Sequence, residues 1–323
     1  MSNNIELDLD LDLDDCIESL KSGRLLNYIE FKSLLEKAKK IFKEEQNVVK
    51  ISPPLTICGN FKGQYNNLQE IFKISGDIPE TNYLFLGGYA NSLEVISLLF
   101  CLKVRYPKRI TLLRGSKEDI IYCYCEDSSE FYKETKKKYG NEEIFINICE
   151  VFNYMPLAAI IGAKIFCVHG GLSPDLETIE EINEIDRFVS IEKNDNIFGL
   201  LSNSPVEYSY WKYLYYYNII NGWMQDPKGR DKYFLEEVTE RFEKKNEIEL
   251  IICGGCYMED GFRFFHNNKL ISLFSAPNFL GNENKGAIIE IDENMEKRFL
   301  IMNKNKIKRN KNTLKIPDYF IQQ

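Results

Sequence analysis

The sequence predicts an α/β chain of the mixed, α+β kind, with helices packed outside its sheets in a single domain. Three observations carry that expectation. Short apolar runs alternate with helical stretches through the first half. Apolar runs crowd the second half, around residues 157–168 and again from 249 to 302. Strand-sized runs also end repeatedly at a glycine. With 323 residues, 44% of them hydrophobic, the chain can build a core without a disulfide or metal staple.

In chain order, residues 1–15 read as an acidic leader. Leu and Asp alternate there at a strand's period, but with too much like charge to pair. Phe31, Leu34, Leu35, Ala38, Ile41 and Phe42 then recur at helical spacing through Glu45, and Pro53-Pro54 ends that element. An apolar run at 55–58 leads into Gly59, and a helical stretch surrounds 68–74. A run at 83–86 leads into Gly87-Gly88, followed by a buried helix over 93–102. A third run at 110–113 leads into Arg114-Gly115, and this alternation implies parallel βαβ units. Residues 157–168 read as two strands turning near Gly162 and entering His169-Gly170-Gly171. Runs at 249–252 and 270–274 precede Cys253-Gly254-Gly255 and Ser275-Ala276-Pro277-Asn278, and 287–291 with 299–302 resembles a hairpin. The domain expected is 16–302, with a basic tail over 303–323.

The net charge of −8 gives no general reason to bind nucleic acid. Only His169 and His266 are present, so a multi-histidine metal centre is excluded. The opening residues lack an apolar signal core, and the apolar stretch 155–168 is short and interrupted by Lys164. No membrane span is expected. The nine cysteines, several inside apolar runs, fit free thiols in a reducing cytoplasmic setting. Cys253 and Cys256 have redox or half-zinc-site spacing, and packing thiols are the plainer explanation.

Glycines at strand ends permit tight turns and close backbone approach, and loops at strand ends build sites in α/β proteins. One site lined by Asn60, Lys62, Gly88, Asn91, Ser116, Lys117, His169 and Gly255 is therefore expected, against the alternative that the glycines only make turns.

At these loops the chain resembles the phosphoprotein (serine/threonine) phosphatase family, most of all the protein phosphatase 2A catalytic subunit. The strings are Thr81-Asn82-Tyr83-Leu84-Phe85-Leu86-Gly87, Leu112-Leu113-Arg114-Gly115, His169-Gly170-Gly171-Leu172-Ser173-Pro174 and Ser275-Ala276-Pro277-Asn278. Pro317-Asp318-Tyr319-Phe320 looks like the family's tail. The resemblance implies a metallophosphatase-like β-sandwich flanked by helices, with two divalent metals (manganese, iron or zinc) on the strand-end loops. The signatures depart from that pattern. Gly-Asp-x-His-Gly becomes Gly59-Asn60-Phe61-Lys62-Gly63, and Gly-Asp-x-x-Asp-Arg-Gly becomes Gly87-Gly88-Tyr89-Ala90-Asn91-Ser92. Arg-Gly-Asn-His-Glu becomes Arg114-Gly115-Ser116-Lys117-Glu118, the last metal histidine falls at Gly255, and a phosphate arginine falls at Lys228. Of the family's six metal ligands only His169 remains, so no cofactor and no catalytic residue is expected.

The chemistry supports that expectation. Two cations about 3.5–4 Å apart clamp a phosphate in such sites. A charged Lys62 about 4 Å from a dication repels it by about 8 kcal/mol at an effective dielectric near 20. Lys62, Lys117 and Lys228 are instead expected to hold a phosphate, unless they simply face solvent. The resulting expectation is an inactive pseudophosphatase that binds phosphatase scaffold or regulatory subunits, or phosphoproteins. The alternative is an active phosphatase with an atypical site, one ion held by His169, Asn60 and Cys253 or Cys256. A Tyr- and Trp-rich stretch at 206–221 is expected as an interface or a local mini-core. The basic run at 304–315 reads as a solvated linker or a nuclear-import or acidic-partner signal.

Overall fold

The computed structural model describes residues 11–125, 129–207, 219–225 and 229–303. Helix α1 (Leu13–Lys21) is capped by Asp12, whose carboxylate accepts from the N–H groups of Asp14 and Asp15. This helix runs across the expected boundary at 16. Asp14 and Asp15 belong to the first turn of a helix, where negative charge opposes the dipole's positive end. Helix α2 (Tyr28–Glu44) starts at a capping box made by Asn27 and Glu30 and buries Phe31, Leu34, Leu35, Ala38 and Phe42, as their spacing predicts.

Strand β1 (Val48–Ile51) follows, which the sequence pattern did not reveal. Then come β2 (Leu55–Cys58), α3 (Tyr65–Ser75), β3 (Tyr83–Phe85), α4 (Leu93–Arg105) and β4 (Ile110–Leu112). The three strands pair in parallel, as expected of βαβ units. Helices α5 (Ile120–Cys125), α6 (Ser129–Tyr139) and α7 (Glu143–Tyr154) precede the β5 (Ala158–Ile161) and β6 (Ile165–Val168) hairpin. After α8 (Ile179–Asn183) and α9 (Asp195–Ser202) come the short strands β7 (Ser204–Pro205), β8 (Ile219–Ile220), β9 (Trp223–Gln225) and β10 (Lys232–Phe234). Helix α10 (Glu236–Asn246) leads to β11 (Leu250–Cys253), β12 (Phe262–Phe265) and β13 (Leu270–Leu273). The described chain closes on the antiparallel pair β14 (Gly286–Ile291) and β15 (Lys297–Met302), the expected hairpin.

Two main sheets result, ordered β1-β5-β6-β11-β13-β12 and β15-β14-β2-β3-β4, with a small sheet β7-β10-β9-β8 beside them. Alternating side chains place Ile57, Leu84 and Ile289 of one main sheet against Ile161, Cys167, Ile252 and Leu273 of the other, in one buried cluster. The opposite faces are covered by helices. Cys58, Phe85 and Leu112 pack with residues of α1–α4, α6 and α7, whereas Phe166, Val168 and Ile251 pack with residues of α8, α9 and α10. The molecule is therefore a β-sandwich between two helical layers, as the resemblance implied.

The sheets meet at one end. Asn60 bridges Phe274, and Ser275 N–H donates to the Asn60 carbonyl at 3.0 Å. A Cβ on Gly59 would lie 2.1 Å from the Leu273 carbonyl oxygen, and one on Gly254 would lie 2.9 Å from Leu86 Cβ. These two glycines thus serve the close approach of sheet to sheet.

Candidate functional site

The loops after β2, β3, β4 and β6 converge at this end of the sandwich. They line a small, partly open pocket formed by Asn60, Lys62, Gly88, Ala90, Asn91, Ser116, Lys117 and His169. Gly255, the remaining expected member, packs beside it and donates its N–H to the His169 carbonyl at 2.6 Å. The loops at those strand-end glycines thus come together around one pocket. Lys228 and residues 208–218 of the aromatic stretch lie outside the described residues, as does the basic tail from 304 onward.

His169 is buried at the end of β6. Its Nδ1 donates to the Leu86 carbonyl at 2.5 Å, which leaves Nε2 as an acceptor facing the Ser116 hydroxyl at 3.3 Å. Burial pushes the imidazole below its usual pKa; Glu118 opposes this and Lys62 reinforces it. The ring is neutral near neutral pH.

Lys62 stands at the β2–α3 loop in the left-handed region (φ 56), and its N–H donates to Asn60 Oδ1 at 2.8 Å. Its Nζ approaches the rings of Phe279 and Phe274, 5.6 and 6.0 Å from their centroids. Aromatic faces of this kind favour a partly desolvated cation. Burial lowers the Lys62 pKa and the Lys117 charge adds to the fall, while Glu118 opposes it. Both lysines therefore line one pocket, and the Lys117 charge is felt at Lys62.

Sequence reasoning missed Glu118 as a shaping element. Its fully buried carboxylate accepts from the N–H groups of Gly88 at 3.0 Å, Tyr89 at 2.7 Å and Ala90 at 2.8 Å. It clamps the β3–α4 loop beside the pocket. A Cβ on Gly88 would meet Asn60 Oδ1 at 2.1 Å, and one on Gly87 would meet His169 Nδ1 at 2.5 Å. Both glycines also have positive φ. A side chain at Gly88 would therefore have to displace the Asn60 carboxamide. Arg114 braces the neighbouring loop. Its buried guanidinium pairs with Asp119 at 2.9 Å and donates to the carbonyls of Glu118 and Val189.

The donor set does not fit a pair of divalent metals. Asn60 Oδ1 already accepts Lys62 N–H, and both Glu118 oxygens accept backbone N–H groups. Two lysines supply charge of the same sign as a metal. Among the described residues no group of three or more His, Cys, Asp or Glu side chains is placed to hold an ion. Cys253 is buried in a strand facing the helices, and the half-buried Cys256 thiol donates to Ser204 Oγ at 3.1 Å. Cys253 thus packs within the core, and the Cys256 thiol is engaged by Ser204. The described cysteines are free, and no helix among the described residues is long and apolar enough to cross a membrane.

The family model of the calcineurin-like phosphoesterases matches residues 53–255, nearly all of the strand-end loops included. Among solved structures, this chain is similar to a protein serine/threonine phosphatase from Saccharomyces cerevisiae, itself described as similar to human phosphatase PP5. The likeness has a TM-score of 0.79 at 24% identity and covers 92% of this chain and 98% of that chain. At that identity the likeness shows a common fold across nearly the whole length.

Proposed function

We propose that this chain, which belongs to the calcineurin-like phosphoesterase family, is a serine/threonine-phosphatase-like protein that has given up two-metal hydrolysis and captures phosphorylated protein partners instead. One observation carries this reading. The pocket at the strand ends is lined by Lys62, Lys117, neutral oxygens and a neutral imidazole, where a metal pair would need acidic oxygens and several imidazoles. A phosphomonoester brings nearly two negative charges and three acceptor oxygens, which two ammonium groups and the Asn91 and Ser116 side chains can meet. The motif resemblance to the protein phosphatase 2A catalytic subunit favours scaffold or regulatory subunits as further partners, bound without turnover.

The test is titration of a phosphoserine peptide and its unphosphorylated twin in the presence of chelator. The phosphorylated peptide is expected to bind selectively. Lys62→Ala and Lys117→Ala are each expected to weaken it by about 10-fold or more, because each removes a charge-assisted contact. Binding should also fade on the alkaline side sooner than for an ordinary lysine site, since burial lowers the Lys62 pKa. Equal affinity for the two peptides would defeat the reading.

A further inference from the structure

We infer that Ser116 and His169 form a metal-independent nucleophilic dyad, which accepts the phosphoryl group of a phosphomonoester captured between Lys62 and Lys117. The inference rests on the capture reading for the identity of its substrate and on separate geometry for its chemistry. A serine nucleophile needs a base within hydrogen-bond reach, and the base needs a third group to hold its tautomer. All three are present. Ser116 Oγ lies 3.3 Å from His169 Nε2, and His169 Nδ1 is fixed by the Leu86 carbonyl at 2.5 Å. That bond keeps the proton on Nδ1 and the lone pair on Nε2, which is the tautomer a general base requires. The separation is slightly long, as such contacts often are without substrate.

The surroundings favour reaction at this hydroxyl. Ser116 and His169 line the same pocket as both lysines, so charge that develops on phosphoryl oxygens does so beside two basic residues. Gly87 and Gly115 let the loops close around the ring, because a Cβ at either would press on His169, at 2.5 Å from Nδ1 and 3.0 Å from Cε1 respectively. In the transfer, the bond from Ser116 Oγ to phosphorus forms as the ester P–O bond breaks. The Ser116 proton passes to His169 Nε2; the departing alkoxide, on the far side of phosphorus, takes a proton from water, and the hydroxide left behind takes the imidazolium proton. The products are phosphoserine at 116 and the free alcohol, with no metal and no oxidant consumed.

The experiment treats the full chain in chelator with an uncharged alkyl fluorophosphonate and, separately, with ³²P-labelled phosphoserine peptide. Adducts are located by peptide mass mapping. The expected result is a single phosphonyl adduct on Ser116, absent in Ser116→Ala and formed about 100-fold more slowly in His169→Gln. Thermal melting of both variants checks that they fold. The labelled peptide is expected to place phosphate on the same serine. A folded wild-type chain left unlabelled at Ser116 overturns the dyad, as does labelling that is indifferent to His169→Gln. Fluorophosphonate labelling without transfer from the peptide overturns the assigned substrate class. Labelling of Ser116 with no selective binding of the phosphopeptide sinks the capture reading while the dyad stands.

Discussion

Glu118 shows how one residue decides what the pocket is. A buried carboxylate is tolerated only when its charge is met by donors, and here three backbone N–H groups of the β3–α4 loop meet it. Removing it leaves those donors buried without partners. Glu118→Ala is therefore expected to lower stability by about 3 kcal/mol or more and to loosen the pocket, as read by chemical denaturation. An unchanged denaturation midpoint would show that the clamp is not structural. Nothing in sequence spacing announces this role, because the carboxylate's partners are main-chain groups 28 to 30 residues away. Lys62, Lys117 and His169 were legible for the opposite reason: each follows an apolar run and stands beside a glycine or within two residues of one.

At the scale of the element, the βαβαβ run and both hairpins could be read because period and punctuation agree there. Strand β1 escaped because its four residues, Val48 to Ile51, sit between a long helix and a Pro-Pro pair and include a charged Lys50. Strand β12 escaped because it is a short edge strand with Arg263 among its four residues. Helix α10 offers a pH test of its own packing. Glu243 is mostly buried, its Oε1 has no partner, and its Oε2 is 3.8 Å from Lys269 Nζ. Burial raises its pKa to about 7, against the pull of Lys269. A carboxyl whose folded pKa exceeds its unfolded value holds its proton more tightly when folded, so stability falls as pH rises from about 4.5 to about 7. Glu243→Gln removes that loss. It is expected to stabilise the protein by about 1–2 kcal/mol at pH 8 and to change little at pH 4.5. Melting curves at the two pH values check this, and equal shifts at both would contradict it.

At the scale of the whole molecule, the family's sandwich frames a pocket lined by two lysines. The inter-sheet core, the helical layers and the glycines that let Gly59 and Gly254 approach the opposite sheet all serve to hold loops together at one end. That scaffold was largely legible, because hydrophobic period and strand-end strings survive in the sequence. The closure of the pocket was not. It depends on the Gly88 backbone lying against Asn60 and on Glu118 pinning the loop, which are facts of three-dimensional approach. This lysine-lined pocket is proposed not to hold two divalent ions. Elemental analysis of the purified protein tests it most directly, after equilibration with manganese, iron and zinc and removal of the unbound metal. The account predicts far less than one equivalent of metal per chain. Two tightly retained equivalents, lost together when His169 is replaced, would contradict it.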